Sequence, residues 1–473
     1  MEIPNRWCMV GKTLASRVDN APERGLGKQL TAVAMAKVMR LGSGAGFAAD
    51  RLEPAVRLIE RGRLHWIGFE CLAERTLAIG QRERAADPAH GYNRYLETRL
   101  EACLPLCAAN GTRLITNMGA ANPAAAAAAA ARIAGPLGLS VAFLEGDDVR
   151  SLIDASTPVP GLGATVGDVG RELVAANAYL GIDAILPAIA TGAEVVITGR
   201  VADPSLFLAP LADHYGWAVD DWPRLGAGTV VGHLLECAAQ VTGGYFADPG
   251  YKEVPGLADI GFPLAEVEAD GSAVITKLAG DGGLVSPATV KEQLFYELHD
   301  PGAYKTPDVV ADFSSVAVEA VGPDRVRVSG GSGGPRPETL KVMLAFDGGF
   351  RVEAGISYAG LGAADRARLA REILRARLGD VAPLRIDLIG LSSLHAACDD
   401  ASTRDSTDVR VHVAARVDDR RKAERLLWEV EALYTCGPAG GAGYRGAVTP
   451  VFVTHDAFLP RDAIEPRFRV IRP

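Results

Sequence analysis

Residues 113–145 read RLITNMGAANPAAAAAAAARIAGPLGLSVAFLE, and this stretch decides the fold class. An apolar run, Arg113–Asn117, leads through Gly119 to Asn122-Pro123, and a capping residue followed by a first-turn proline starts a helix. The alanine tract then predicts a closely packed helix over Asn122–Gly135, and Val141–Glu145 a second strand. Strand, capped helix and strand at this spacing form one unit of a parallel sheet. The rhythm continues outward, with strands at Met39–Gly44, His65–Glu70 and Glu194–Thr198 and a pair of helices spanning Arg171–Ala190. Residues 38–330 are therefore expected to form an α/β main domain, a parallel sheet with helices on both faces.

After Ala247 the texture becomes more β-rich, with segments Ala273–Leu278 and Val316–Val328 and turn signals at Asp270-Gly271 and Gly322-Pro323. The run Ser329–Pro335, SGGSGGP, reads as a flexible junction. Beyond it strands (Thr339–Phe346, Arg351–Tyr358), a helix (Ala363–Leu378), two strands (Leu384–Leu391, Val409–Val417), a helix (Arg420–Thr435) and a strand (Val448–Thr454) follow in the order β-α-β-β-α-β. That order predicts a ferredoxin-like α+β domain over residues 336–473. Residues 1–37 lack the apolar core of a signal peptide and any clear period, and are expected to be a loose or extended arm.

Composition excludes several function classes. The 473 residues are 48% hydrophobic and 23% charged, and no apolar run reaches the ~18–20 residues of a membrane span. A net charge of -9 supplies no long-range field for nucleic acid, and Arg420-Arg421-Lys422 reads as a solvated helix start. Seven scattered cysteines without a CxxC pair imply a reducing, cytoplasmic setting.

Three loops share one pattern: Asn117–Pro123, Thr198–Pro204 and Asp281–Pro287 each run through glycine to a polar residue and a proline. If they converge at the carboxyl ends of the strands, their helix N-termini suit an anionic ligand. Asn117, Asn122, Gly199, Arg200, Lys277, Gly282 and Gly283 are the candidate binding residues, with a structural Arg200–Asp203 ion pair and ordinary cap chemistry as the alternatives. His233 and Glu236, one turn apart on a helix expected over Gly228–Gly243, form a candidate acid/base pair, and Asp203 and Glu70 are further candidate proton-transfer groups. Asp147 and Asp148, after the fourth strand, are candidate ligands for a divalent cation. The loop Gly42-Ser-Gly-Ala-Gly46 with Glu70 imitates a dinucleotide fingerprint. Phe47 stands where the packing glycine belongs, which disfavours NAD(P).

Taken together, Gly46-Phe47, Glu70-Cys-Leu-Ala-Glu74, Asp87-Pro-x-x-Gly-Tyr92, Thr116-Asn117-x-Gly119, Gly146-Asp-Asp148, Asn177-Ala-Tyr-Leu-Gly181, Ile197-Thr-Gly-Arg200, Gly232-His-x-x-Glu-Cys237, Thr242-Gly-Gly-Tyr-Phe246, Gly282-Gly-Leu-Val285 and Pro307-Asp-Val-Val310 resemble the acyclic terpene utilisation (AtuA-type) family. The sequence departs from that pattern at Asn117-Met-Gly-Ala-Ala, where more glycine is usual. The resemblance implies an α/β domain followed by a ferredoxin fold, and catabolism of branched or terpenoid acids through acyl-CoA intermediates. It implies no particular reaction. The residues favour a proton-transfer enzyme of hydratase, lyase or isomerase type. Its expected partner is a small anionic substrate or CoA thioester, and a homo-oligomer is possible. The alternatives are a non-catalytic assembly subunit of an acyl-CoA-processing complex and, third, an NAD(P)-linked oxidoreductase.

Overall fold

A computed structural model describes residues 38–381, 383–395 and 406–473; the arm expected over residues 1–37 lies outside the described residues. The first half runs β1 (Val38–Ala45), α1 (Glu53–Arg61), β2 (Trp66–Phe69), α2 (Glu74–Ala86), α3 (Leu96–Asn110), β3 (Arg113–Thr116), α4 (Pro123–Ala134), β4 (Val141–Glu145), β5 (Pro158–Val159), β6 (Ala164–Thr165), β7 (Leu173–Ala178), α5 (Ile182–Ile189), β8 (Val195–Ile197), α6 (Ser205–Tyr215) and α7 (Trp222–Glu236). There follow β9 (Pro263–Glu268), β10 (Ala273–Lys277), α8 (Pro287–Phe295), β11 (Tyr304–Lys305), β12 (Val310–Asp312), β13 (Ala317–Gly322), β14 (Arg325–Ser329) and β15 (Ser332–Gly334). The chain closes with β16 (Thr339–Ala359), α9 (Ala363–Arg377), β17 (Leu384–Ile389), β18 (Asp408–Val417), α10 (Arg420–Glu431), α11 (Leu433–Cys436), β19 (Ala442–Pro460) and β20 (Arg467–Ile471).

The main sheet has ten strands in the order β13-β14-β10-β9-β1-β2-β3-β8-β4-β20. Its centre, β1-β2-β3-β8-β4, is parallel, while β9, β10, β14 and β13 pair antiparallel and β20 runs antiparallel to β4. The expected all-parallel sheet is thus corrected to a mixed one: tight connections such as Asp270-Gly271 and Gly322-Pro323 leave no room for a parallel crossover. Successive residues of the central strands feed opposite cores. Ala142 and Leu144 pack with α5, α6 and α7, whereas Val141 and Phe143 pack with α1, α3 and α4, so helices cover both faces.

Asn122 caps α4 as its sequence predicts, its side-chain oxygen accepting from the Ala125 amide at 3.3 Å. Four local expectations are corrected. Leu173–Ala178, expected in a helix, is β7, because antiparallel pairing with β16 overrides the helix preference of its alanines. Gly42–Ala45 is no loop but the paired end of β1. The helix expected to reach Gly243 ends at Glu236, and Ala238 takes a positive φ of 41°. The junction at Ser329–Pro335 is structured: Ser332–Gly334 forms β15 beside β12, and Gly226 on α7 admits it, since a Cβ there would lie 1.9 Å from the Ser332 carbonyl oxygen.

The strands expected at Thr339–Phe346 and Arg351–Tyr358 are one 21-residue strand, β16, with an irregular register at Asp347–Phe350. β16 pairs with β7, β18 and β19, giving a second sheet ordered β17-β18-β16-β19. One face of that sheet packs on α9 and α10. β16 reaches back to β7, and β20 joins the main sheet, so the described residues from Met39 onward form one compact unit.

Candidate functional site

The carboxyl ends of β2, β3, β8 and β4 and the last turn of α7 hold most of the candidate residues. Glu70, just past β2, is buried and accepts hydrogen bonds from the Leu72 amide and the Asn117 side-chain amide, both at 2.9 Å. Asn117 in turn accepts from the Cys71 amide at 2.8 Å, so the ends of β2 and β3 are stitched through side chains. Burial, reinforced by Asp203, pushes the Glu70 carboxyl up to about 8, which favours its protonated form.

Arg200 lies at the turn after β8, 1% exposed. Its guanidinium donates to the carbonyls of Val201 and Leu72 and to Asp203, and it stacks 4.5 Å over the Tyr179 ring. Of the two readings of this arginine, the geometry realises the ion pair. Its backbone amide donates to Asp147 at 2.9 Å, and Gly199 makes room for that carboxylate, since a Cβ there would sit 2.6 Å from Asp147 Oδ1. Asp203 opens toward solvent on one side, and burial raises its proton affinity against the pull of Arg200. Behind Arg200, the Tyr179 hydroxyl donates to Glu74 at 2.6 Å. Burial alone would raise the Glu74 carboxyl, but this bond together with Arg200 and Lys341 holds it below its usual range.

His233 and Glu236 meet as their spacing predicts, Nδ1 to Oε1 at 2.9 Å. His233 Nε2 lies 3.0 Å from the Gln293 carbonyl, which only accepts, so Nε2 carries a hydrogen. The Nδ1–Oε1 contact therefore shares one proton, either on Glu236 or on an imidazolium. Burial pushes Glu236 up to about 7; burial also opposes charging of His233, but Glu236 and the Gln293 and Leu294 backbone together outweigh it and raise the imidazole. The second oxygen, Glu236 Oε2, is buried without a hydrogen-bond partner, and the residue is 7% exposed. Glu236 feels the charges of Asp203 and Glu297, and Cys237 those of Glu236, Glu70 and Glu297, so these acids share one neighbourhood. Gly46, at the end of β1, closes it: a Cβ there would come within 2.3 Å of the Cys237 backbone.

An open cleft of about 860 Å3 adjoins this neighbourhood through Glu297, walled by Phe246, Tyr251, Phe295 and Tyr296 and rimmed by Lys252 and Lys291. Glu297, Tyr251, Phe295, Tyr296 and Tyr304, whose ring lies 5.5 Å from that of His233, were not singled out by the sequence, and Phe246 entered only within the family-like string Thr242–Phe246. The cluster Phe295-Tyr296-Glu297 at the end of a capped helix was the available signal.

Other candidates lie elsewhere or are engaged. Asn122 spends its amide on the carbonyls of Pro88 and His90. The loops at Asn117 and Gly199 adjoin, as Gly119 packs on the Thr198 carbonyl. The third loop is tied to other partners: Lys277 binds the Asp281 carbonyl at 2.7 Å and Asp324 at 3.1 Å, and Gly282 and Gly283 pack on the backbone of Gly256 and Thr242. Asp147 receives Asn177 at 2.9 Å and is pushed up to about 6 by burial, while Asp148 turns to Gln81, Arg84 and Arg150. Among the described residues no group of three or more His, Cys, Asp or Glu side chains is placed to hold a metal ion. Nor, among them, is any helix long and apolar enough to cross a membrane.

The family model described as "Acyclic terpene utilisation family protein AtuA" matches residues 39–470. No curated protein and no solved structure matches the chain.

Proposed function

Because the chain belongs to the acyclic terpene utilisation AtuA family, we propose that it serves that catabolism as a proton-transfer enzyme, a hydratase, lyase or isomerase acting on a branched carboxylate or its CoA thioester. The carrying observation is the unpartnered Glu236 Oε2, backed by a His233–Glu236 pair that shares a proton near neutral pH. In this reading Glu236 exchanges the proton with substrate, His233 positions it and stores the charge, and protonated Glu70 serves as the acid opposite Asp203. Arg200 acts through Asp203 rather than on the substrate, since its guanidinium donates to Leu72, Val201 and Asp203. The aromatic cleft supports an apolar acyl chain; Lys252 is paired with Glu292 at 2.5 Å, so Lys291 is the rim cation that supports an anionic end.

The segment Thr339–Pro460 supports a ferredoxin-like reading: β17-β18-β16-β19 pair antiparallel throughout, with α9 and α10 on one face. An assembly-subunit role is favoured by one observation, the 76% exposure of Trp428 on α10.

The test is solvent-proton exchange. Branched acids and their CoA thioesters, incubated with the protein in heavy water, should lose an activated C–H signal in NMR. Glu236→Gln, which keeps the shape, should slow that loss by about a hundredfold or more. Exchange by the variant at the native rate would remove Glu236 from the chemistry, and no exchange across the panel would move weight to the assembly role.

A further inference from the structure

The second sheet buries Val352, Ala354 and Ile356 of β16 against α9 and α10, so the alternate residues face the other way. On that free face Asp387, His412, Gly355 and Arg445 stand side by side at one register of four adjacent strands. Gly355 brings no side chain to the row, and a notch of about 220 Å3 opens there, lined by Glu353, Arg410, His412 and Arg445. A Cβ at residue 355 would lie 3.0 Å from the Val411 carbonyl and 3.5 Å from the Arg410 stem, so any larger side chain fills the notch.

Charge is unevenly neutralised around it. Arg351 pairs with Glu353 at 3.7 Å and Arg385 with Asp387 at 2.8 Å. Arg410 has only a 3.5 Å contact with the Ser357 hydroxyl, and neither it nor Arg445 has a carboxylate partner among the described residues. Among the described residues, two guanidinium groups without a carboxylate partner therefore flank one hollow, which Glu353 also lines, on a chain whose net charge is -9.

We propose that this notch binds the phosphate group of a phosphate monoester. A dianion balances Arg410 and Arg445 together, and a tetrahedral phosphate accepts from both forks at once, whereas a carboxylate monoanion answers only one. His412 Nδ1 faces Asp387 at 3.9 Å, leaving Nε2 for the ligand. Glu353, held by Arg351, accepts from a hydroxyl of the group that carries the phosphate. This site is independent of the proton-transfer reading.

Calorimetric titration of the full chain with inorganic phosphate and with glycerol 3-phosphate tests it, with glycerol and acetate as the neutral and monoanionic comparisons. Saturable one-to-one binding of both phosphates is expected. Arg410→Ala or Arg445→Ala should weaken it about tenfold or more, and Gly355→Val should abolish it. Arg410 and Arg445 are exposed, so their variants keep the native melting temperature and remain informative even if the valine variant misfolds. The proposal fails if neither phosphate saturates, if Arg445→Ala binds like the native chain, or if acetate binds as tightly as phosphate.

Discussion

Glu70 and Arg200 show how burial at the strand ends sets the stability contribution of individual residues. Glu70 is raised from 4.5 to about 8 by burial, so between those values the folded state binds more protons than the unfolded one. Stability from this group is complete below about 4.5 and is lost as the pH rises through about 8, a swing of order a few kcal/mol. Glu70→Gln keeps the acceptors for Leu72 and the Asn117 amide, so it should flatten the decline and raise the melting temperature at pH 8 to 9. Melting curves across pH check this, and an unchanged slope would mean that Glu70 ionises freely. Arg200→Met should cost about 2–4 kcal/mol in urea unfolding, because it strands two buried carbonyls and leaves the partly exposed Asp203 without its partner. A substrate clamp would cost activity instead and leave stability nearly intact.

Elements meet here through glycines, and the close approaches give sharp expectations. Gly226→Ala drives a Cβ into the Ser332 carbonyl, separating α7 from β15, and should destabilise the fold by about 3 kcal/mol or prevent folding. Gly135→Ala, with nothing within 4 Å and a φ of -56°, should be neutral or stabilise by up to about 1 kcal/mol. Chemical denaturation of the pair separates a packing glycine from a merely permissive one. At this scale the local signals were legible. Asn122-Pro123 and Ser286-Pro287 start helices wherever they occur, because a cap satisfies donors within its own turn. β7 was not legible, since Leu-Val-Ala-Ala-Asn-Ala suits a helix until β16, some 170 residues away, offers its edge.

For the whole molecule, two long-range pairings interlock the halves: β16 with β7, and β20 with β4. Residues 39–473 should therefore unfold in one calorimetric transition, not two; two resolved peaks would show that the halves are energetically separate. Periodicity and caps in the sequence determined the α/β class, the main central strands and the i, i+3 meeting of His233 with Glu236, because those depend on neighbours along the chain. Only the tertiary structure decided that the sheet is mixed, that Arg200 turns inward to Asp203, that Glu236 keeps an oxygen without a partner and that Glu297 rims the cleft. Each of those turns on which distant segments exclude water together, and burial of that kind is set by packing across the sheet rather than by any local run of residues.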